Sequence, residues 1–129
     1  MVQLKRMDLD LIVCRLGSGE HIPSWALQGK FVSVTRTEEE LSIICESRKL
    51  PPGKRASVKY EADWRPIKVQ GPIGFEMVGV IAGISQTLTA RGITLFAVST
   101  YDTDYILVKR DKFDDAVESL VTEGYPFVE

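Results

Sequence analysis

Residues 64–128 carry the pattern that most restricts the fold. A strand-like run, "WRPIKVQG" (64–71), leads into a stretch where Phe75, Met77, Val78, Val80, Ile81, Ile84 and Leu88 recur at spacings of three and four. That recurrence gathers the apolar residues on one face of a helix over 75–91. Gly92 follows, where a helix C-terminus favours a left-handed residue. "ITLFAVS" (93–99) and "DYILVKR" (104–110) read as strands joined by a short polar turn, a hairpin. Asp111 stands as the N-cap of a second helix with the stripe Phe113, Ala116, Val117, Leu120 and Val121, stopped by Gly124. "YPFV" (125–128) is a last short strand. Pro66 is expected at a strand start or on a sheet edge, since it offers no N–H to a ladder. The order β-α-β-β-α-β predicts an α+β, ferredoxin-like unit: an antiparallel sheet with both helices on one face.

The first half follows the same plan with its helices missing. "LDLIVCRL" (9–16), "FVSVTRT" (31–37) and "LSIICE" (41–46) are strands, and "ASVKYE" (56–61) is a weaker edge strand. Residues 17–29 form a loop with room for one helical turn around Ser24–Leu27. "SRKLPPGKR" (47–55) cannot be a regular helix because of its paired prolines and glycine. Sliding the chain by 64 residues lays Val34 on Val98, Glu38 on Asp102 and Glu40 on Asp104. Two hairpins with carboxylates at matching places point to an internal duplication. Two units are therefore expected, 1–63 and 64–129. The helix-poor half cannot cover its own sheet, so they should pack as one compact body.

Composition narrows the function. With 129 residues, 44% hydrophobic and 26% charged, the chain is long enough for a stable core. A net charge of −2 argues against nucleic acid as a partner, which would call for a basic face. No apolar run reaches the roughly 18 residues of a membrane span, and "MVQLKRMDLD" has no signal-peptide core. A cytoplasmic protein without membrane contact is expected. Cys14 and Cys45 sit in apolar runs and read as small buried hydrophobes, a disulfide being the alternative. The cysteines form no CxxC motif and His21 is the sole histidine, so neither a metal site nor a cofactor is expected.

Two stretches could carry chemistry. In a β-α-β-β-α-β unit the turn into the first helix converges with the end of the second strand; here these are "GPIGFEMVGV" (71–80) and "STYDTDY" (99–105). Gly71, Pro72 and Gly74 make a tight entry that lets a ligand approach the backbone. The helix start offers unpaired N–H groups to a carboxylate. Asp102 or Asp104 could hold a cation opposite, so a zwitterionic amino acid fits. Plainer readings stand beside this one: the glycines as an ordinary turn, the aspartates as hairpin chemistry, Tyr101 as packing, and Glu38–Glu40 as a solvated tip. Ser33, Ser99 and Thr100 have no nearby histidine in sequence, and the phosphate-loop and kinase signatures are missing. Catalysis is not expected.

"WRPIKVQGPIGFEMVGVIAGISQTLTARGITLFAVSTYDTDYILVKRD", together with "FVSVTRTEEELSIIC", strongly resembles the small tandem ACT-domain proteins. These are similar to the regulatory domains of aspartate kinases and to cytosolic arginine-sensor proteins. The resemblance spans essentially the whole chain and is most specific at "GFEMVG" and "STYDTDY". It implies two ACT units in tandem, ferredoxin-like, helix-poor over 1–63 and complete over 64–129. ACT units typically pair side by side and bind amino acids at the interface between units. Carried onto this chain, the site comprises Gly74, Phe75, Glu76, Met77, Gly79 and Val80 on one side. Ser99, Thr100, Tyr101 and Asp104 face them, with Ser33 and Val34 contributed by the first unit. Arginine-sensing relatives place an acid just inside the first helix. Glu76 facing the pocket would suit a basic ligand; Met77 facing it would suit a neutral one. The resemblance thus implies a non-catalytic, amino-acid-binding allosteric regulator, a homodimer that signals to a protein target. The alternatives are an interaction module with a decayed pocket, or a regulatory subunit of an aspartate-kinase-like enzyme.

Overall fold

The computed structural model describes residues 2–70 and 79–128. They contain eight strands: β1 (Gln3–Arg6), β2 (Leu11–Leu16), β3 (Val32–Arg36), β4 (Leu41–Glu46), β5 (Lys59–Gln70), β6 (Leu95–Ser99), β7 (Asp104–Lys109) and β8 (Phe127–Val128). The α-helices are α1 (Val80–Thr89) and α2 (Phe113–Thr122). No helix among the described residues is long and apolar enough to cross a membrane. The chain divides into two compact units, a smaller one of Leu9–Asp63 and a larger one of Met1–Asp8 with Trp64–Glu129.

In the larger unit the strands run in the order β8-β1-β5-β7-β6, antiparallel throughout except that β1 and β8 are parallel. From β5 onward the chain follows β-α-β-β-α-β, with β1 inserted between the first and last strands of that plan. Leu4 lies opposite Val69 on one side and Phe127 on the other. Lys5 and Arg6 interrupt the apolar pattern here, so residues 3–6 carry no strong strand signal. A strand needs only alternate residues inside, and Leu4 alone is fully buried there. Residues 1–8 therefore belong with the C-terminal unit, not with the N-terminal unit to which linear order assigned them. Arg6 on β1 and Arg65 on β5 hold their guanidinium groups 5.5 and 5.4 Å from the Phe113 ring centroid, and Arg6 also meets Asp114 at 3.2 Å.

One core cluster joins Leu4, Ile67, Val69, Ile106 and Val108 of the sheet to Ile84 and Leu88 of α1 and to Phe113, Ala116 and Leu120 of α2. Both helices thus cover the same face. Each fully buried large side chain contributes about 1.5–3 kcal/mol relative to exposure. α1 stops at Gly92 (φ +70°), whose neighbour Ile93 donates to the Leu88 carbonyl at 3.0 Å. Gly124 (φ +104°) ends α2 in the same way, with Tyr125 donating to Leu120 at 3.0 Å. Asp111 is not the N-cap of α2: it lies in a 3-10 turn, Arg110–Lys112, and Lys112 precedes the helix with no side-chain cap. Asp114 and Asp115 in the first turn supply the negative charge that this end of a helix favours.

Two more expectations are corrected along β5. Residues 56–61 and 64–71 are not separate strands; 59–70 is one strand, with Asp63 in a left-handed conformation (φ +67°). Pro66 sits inside it, flanked by β7 through Leu107. It is tolerated because the paired register with β1 ends at Arg6 opposite Ile67, so that side asks no N–H of Pro66. Its carbonyl on that side accepts the Met7 N–H at 3.1 Å.

The smaller unit is the sheet β3-β4-β2, antiparallel throughout. Ile12, Cys14 and Leu16 of β2 and Leu41, Ile43 and Cys45 of β4 share one buried face. Trp25, Ala26, Leu50 and Val58, from short turns, pack on that face where a ferredoxin-like plan has helices. The single turn expected near Ser24–Leu27 is a 3-10 turn, and 47–55 holds only two such turns. Cys14 and Cys45 are free, buried thiols. Burial, with each other's proximity adding for Cys14, pushes Cys14 up to about 12; burial, reinforced by Glu46, pushes Cys45 up to about 11.

The hairpins of the two units match at an offset of 63 residues, not 64. Ser99 pairs with Asp104 where Arg36 pairs with Leu41. Thr100 N–H donates to the Thr103 carbonyl at 2.8 Å where Thr37 N–H donates to Glu40 at 2.9 Å. The structural counterpart of Asp104 is therefore Leu41, which is fully buried, and not Glu40. Glu38 likewise matches Tyr101 instead of Asp102.

Candidate functional site

The β6–β7 turn is built by threonines. Thr100 Oγ1 donates to the Thr103 carbonyl at 3.1 Å and accepts the Thr103 N–H at 3.3 Å. Below the turn, Ser99 Oγ donates to Asp104 Oδ1 at 2.6 Å, a short bond to a carboxylate. This leaves Oδ2 of Asp104 without a partner among the described residues. Thr103 is only 5% exposed, and its hydroxyl donates to the Val69 carbonyl. That bond ties the turn to the end of β5, where the chain leaves the sheet toward α1. Tyr101 at the tip is 81% exposed.

The described part of the helix entry is Gly79 and Val80. Gly79 has φ +84°, a left-handed conformation suited to glycine, and its carbonyl accepts the first helical bond from Gly83 N–H at 2.9 Å. The N–H groups of Val80, Ile81 and Ala82 therefore have no partner within the helix, and Gly79 at the N-cap offers no side chain to them. Val80 packs its side chain against the core, so what it can offer a ligand is its N–H.

Of the residues named from the sequence, Ser99, Thr100, Tyr101 and Asp104 come together at one end of one hairpin. Gly79 and Val80 form the start of α1. Gly74, Phe75, Glu76 and Met77 lie outside the described residues, and with them the choice between Glu76 and Met77. Ser33 and Val34 are on β3, the outer strand of the smaller unit, where Val34 packs against that unit's core. Sequence reasoning missed Thr103, which fixes the hairpin to β5. Its signal was a small hydroxyl residue at the close of a turn otherwise made of exposed polar groups.

The β-α-β-β-α-β frame of the larger unit defines a small α+β domain. The chain belongs to the ACT-domain family: the family model for the ACT domain matches residues 59–122, and a second model, for an N-terminal domain, matches residues 11–52. Human "Cytosolic arginine sensor for mTORC1 subunit 1" is 28% identical over 94 residues, covering 70% of this chain and 29% of the relative. The chain thus spans less than a third of that relative's length. A crystallised Agrobacterium tumefaciens protein is 34% identical with a TM-score of 0.88, over 98% of this chain and 92% of the other. The regulatory subunit of aspartate kinase from Thermus thermophilus shares the fold at 10% identity, with a TM-score of 0.57 over 89% of this chain and 93% of that one.

Proposed function

We propose that this chain is a non-catalytic regulatory protein that binds a free amino acid in its C-terminal unit. The observation that carries the reading is the posture of Asp104. One carboxylate oxygen is held by Ser99 at 2.6 Å while the other has no partner among the described residues, on a hairpin bonded to the strand that leads into α1. The ligand's ammonium group binds Asp104 and the strand-end carbonyls near Ser99 and Thr100. Its carboxylate rests on the N–H groups of 74–80, favoured by the positive end of the helix. Tyr101 closes over the side chain. Glu76 turned toward that side chain selects a basic amino acid; Met77 in its place selects a neutral one. Family membership, a relative that is an arginine sensor and a neighbour that is a kinase regulatory subunit all support this reading.

The protein works in the cytoplasm as a homodimer, and ligand binding shifts its packing and so its affinity for a protein target. Only the C-terminal hairpin serves this role, because Leu41 stands where Asp104 would be in the other. A thermal-shift screen of the proteinogenic amino acids tests the proposal. At least one amino acid is expected to raise the melting temperature of the wild-type chain, and Asp104→Ala is expected to abolish that rise while melting normally without ligand. No response to any amino acid, or an unchanged response in the variant, overturns it.

A further inference from the structure

The smaller unit contains a cavity of about 410 Å3, built entirely from residues 15–59. That volume lies in the ~300–1,000 Å3 range of small-molecule sites. It exists because loops stand where the fold plan has helices: the end of β2 forms its floor, and the segments 17–25 and 54–59 form its walls. Both walls are fixed. Arg36 donates to the carbonyls of Ser18 and Glu20 and so holds the first. Ser57 Oγ and Val58 N–H both donate to the Lys54 carbonyl at 3.1 Å, holding the second.

The lining has two characters. Leu16, Trp25 and Val58 present apolar and aromatic surface, while Arg15, Lys54 and Lys59 stand exposed around it. Neither lysine forms an ion pair among the described residues. Arg15 donates to the neutral Glu39 carbonyl at 3.0 Å and forms no ion pair among the described residues. The one acid of the lining, Glu20, accepts the Gly17 N–H at 2.5 Å through one oxygen, so the lining sets three cations against one carboxylate.

We propose that this cavity is a second ligand site, for a small organic anion with a flat apolar body: a carboxylate or phosphate monoester bearing an aromatic group. The anionic head meets Lys54, Lys59 and Arg15, and the ring lies against Trp25 and Val58. A free amino acid is disfavoured, because its ammonium group would face three cations. The site stands independently of the hairpin of the larger unit.

Titrating the full 15N-labelled chain with phenyl phosphate and 3-phenylpropionate tests this, followed through the amide signals of Gly17, Ser57 and Val58. Both probes are expected to give saturable shifts there. Inorganic phosphate and 3-phenylpropan-1-ol are expected to bind about tenfold more weakly or not at all, each lacking half of the recognition. K54Q/K59Q is expected to cost about tenfold in affinity with an unchanged melting temperature, both side chains being exposed. The proposal is overturned by a lack of saturable shifts at these amides, by equal shifts with inorganic phosphate, or by unaltered affinity in K54Q/K59Q.

Discussion

Glu46 ends β4 with its carboxylate buried, yet it is fully partnered. Oε2 accepts the Lys30 N–H at 2.7 Å and Oε1 accepts Arg48 Nε at 3.3 Å. The Lys30 amide is the main reason its pKa lies below the usual carboxylate range; burial opposes the shift and Arg48 supports it. Gly29 (φ +107°) makes room, since a Cβ there would overlap the carboxylate. A carboxyl group with a lower pKa folded than unfolded stabilises the fold above its ordinary value of 4.5, and that contribution is lost as pH falls through the folded value. The urea midpoint of the wild-type chain is therefore expected to fall more between about pH 6 and about pH 3 than that of Glu46→Gln. Parallel curves would contradict the assignment. The thiols behave in the opposite sense. Their raised values mean stability is intact below the ordinary 9.0 and is lost as pH rises toward about 12 for Cys14 and about 11 for Cys45. Cys14 faces Ile43 and Cys45 faces Ile12, so the cysteines are diagonal neighbours on adjacent strands. Diagonal neighbours lie roughly 7–8 Å apart, and a disulfide needs Cβ atoms about 3.5–4.5 Å apart. Both thiols are expected to react with a disulfide reagent only after denaturant is added; prompt reaction of the native chain would contradict their burial.

At the scale of elements, the β6–β7 hairpin depends on one buried hydroxyl. Thr103→Val keeps the shape but leaves the Val69 carbonyl unpaired, a loss of about 1–3 kcal/mol. A lower melting temperature and weaker amino-acid stabilisation are expected together, although Thr103 is assigned no ligand contact. A drop in stability with full ligand response would separate the turn from the site. The helices and hairpins were legible because their signals are local: spacings of three and four for α1 and α2, and apolar runs broken by a polar turn. Residues 47–55 were rightly denied a regular helix on the same footing, through their prolines. What failed was finer. One residue of slip in aligning the hairpins paired Glu40 with Asp104, because acids at the two tips outweighed the strand register. Asp111 looked like a cap because a 3-10 turn of ordinary composition precedes α2. Thr103 offered only a small hydroxyl at the close of the turn; its partner, a backbone carbonyl on a strand far away in sequence, left no local trace.

For the whole molecule, the chain's first strand completes its last unit. Leu4 is fully buried among Ile67, Val69 and the helices, so Leu4→Ala is expected to cost about 2–5 kcal/mol. Hydrogen exchange should show that loss at amides of β5, β7 and α1. A loss confined to residues 9–63 would contradict the division. That long-range pairing explains why linear reading cut the chain at 63 and gave residues 1–8 to the wrong unit: nothing local in "QLKR" says which strand it joins. The β6–β7 hairpin was more legible than that placement. Its strands and polar turn followed from "STYDTDY", while spacing leaves the choice between Glu76 and Met77 open.

The most direct measurement is an amide-resolved titration of the full chain with the amino acid that stabilises it most. Saturable shifts are expected to concentrate at Gly79, Val80 and residues 99–104, at concentrations that also raise the melting temperature. Shifts confined to residues 9–63, or none that saturate, would contradict an amino-acid site at this hairpin.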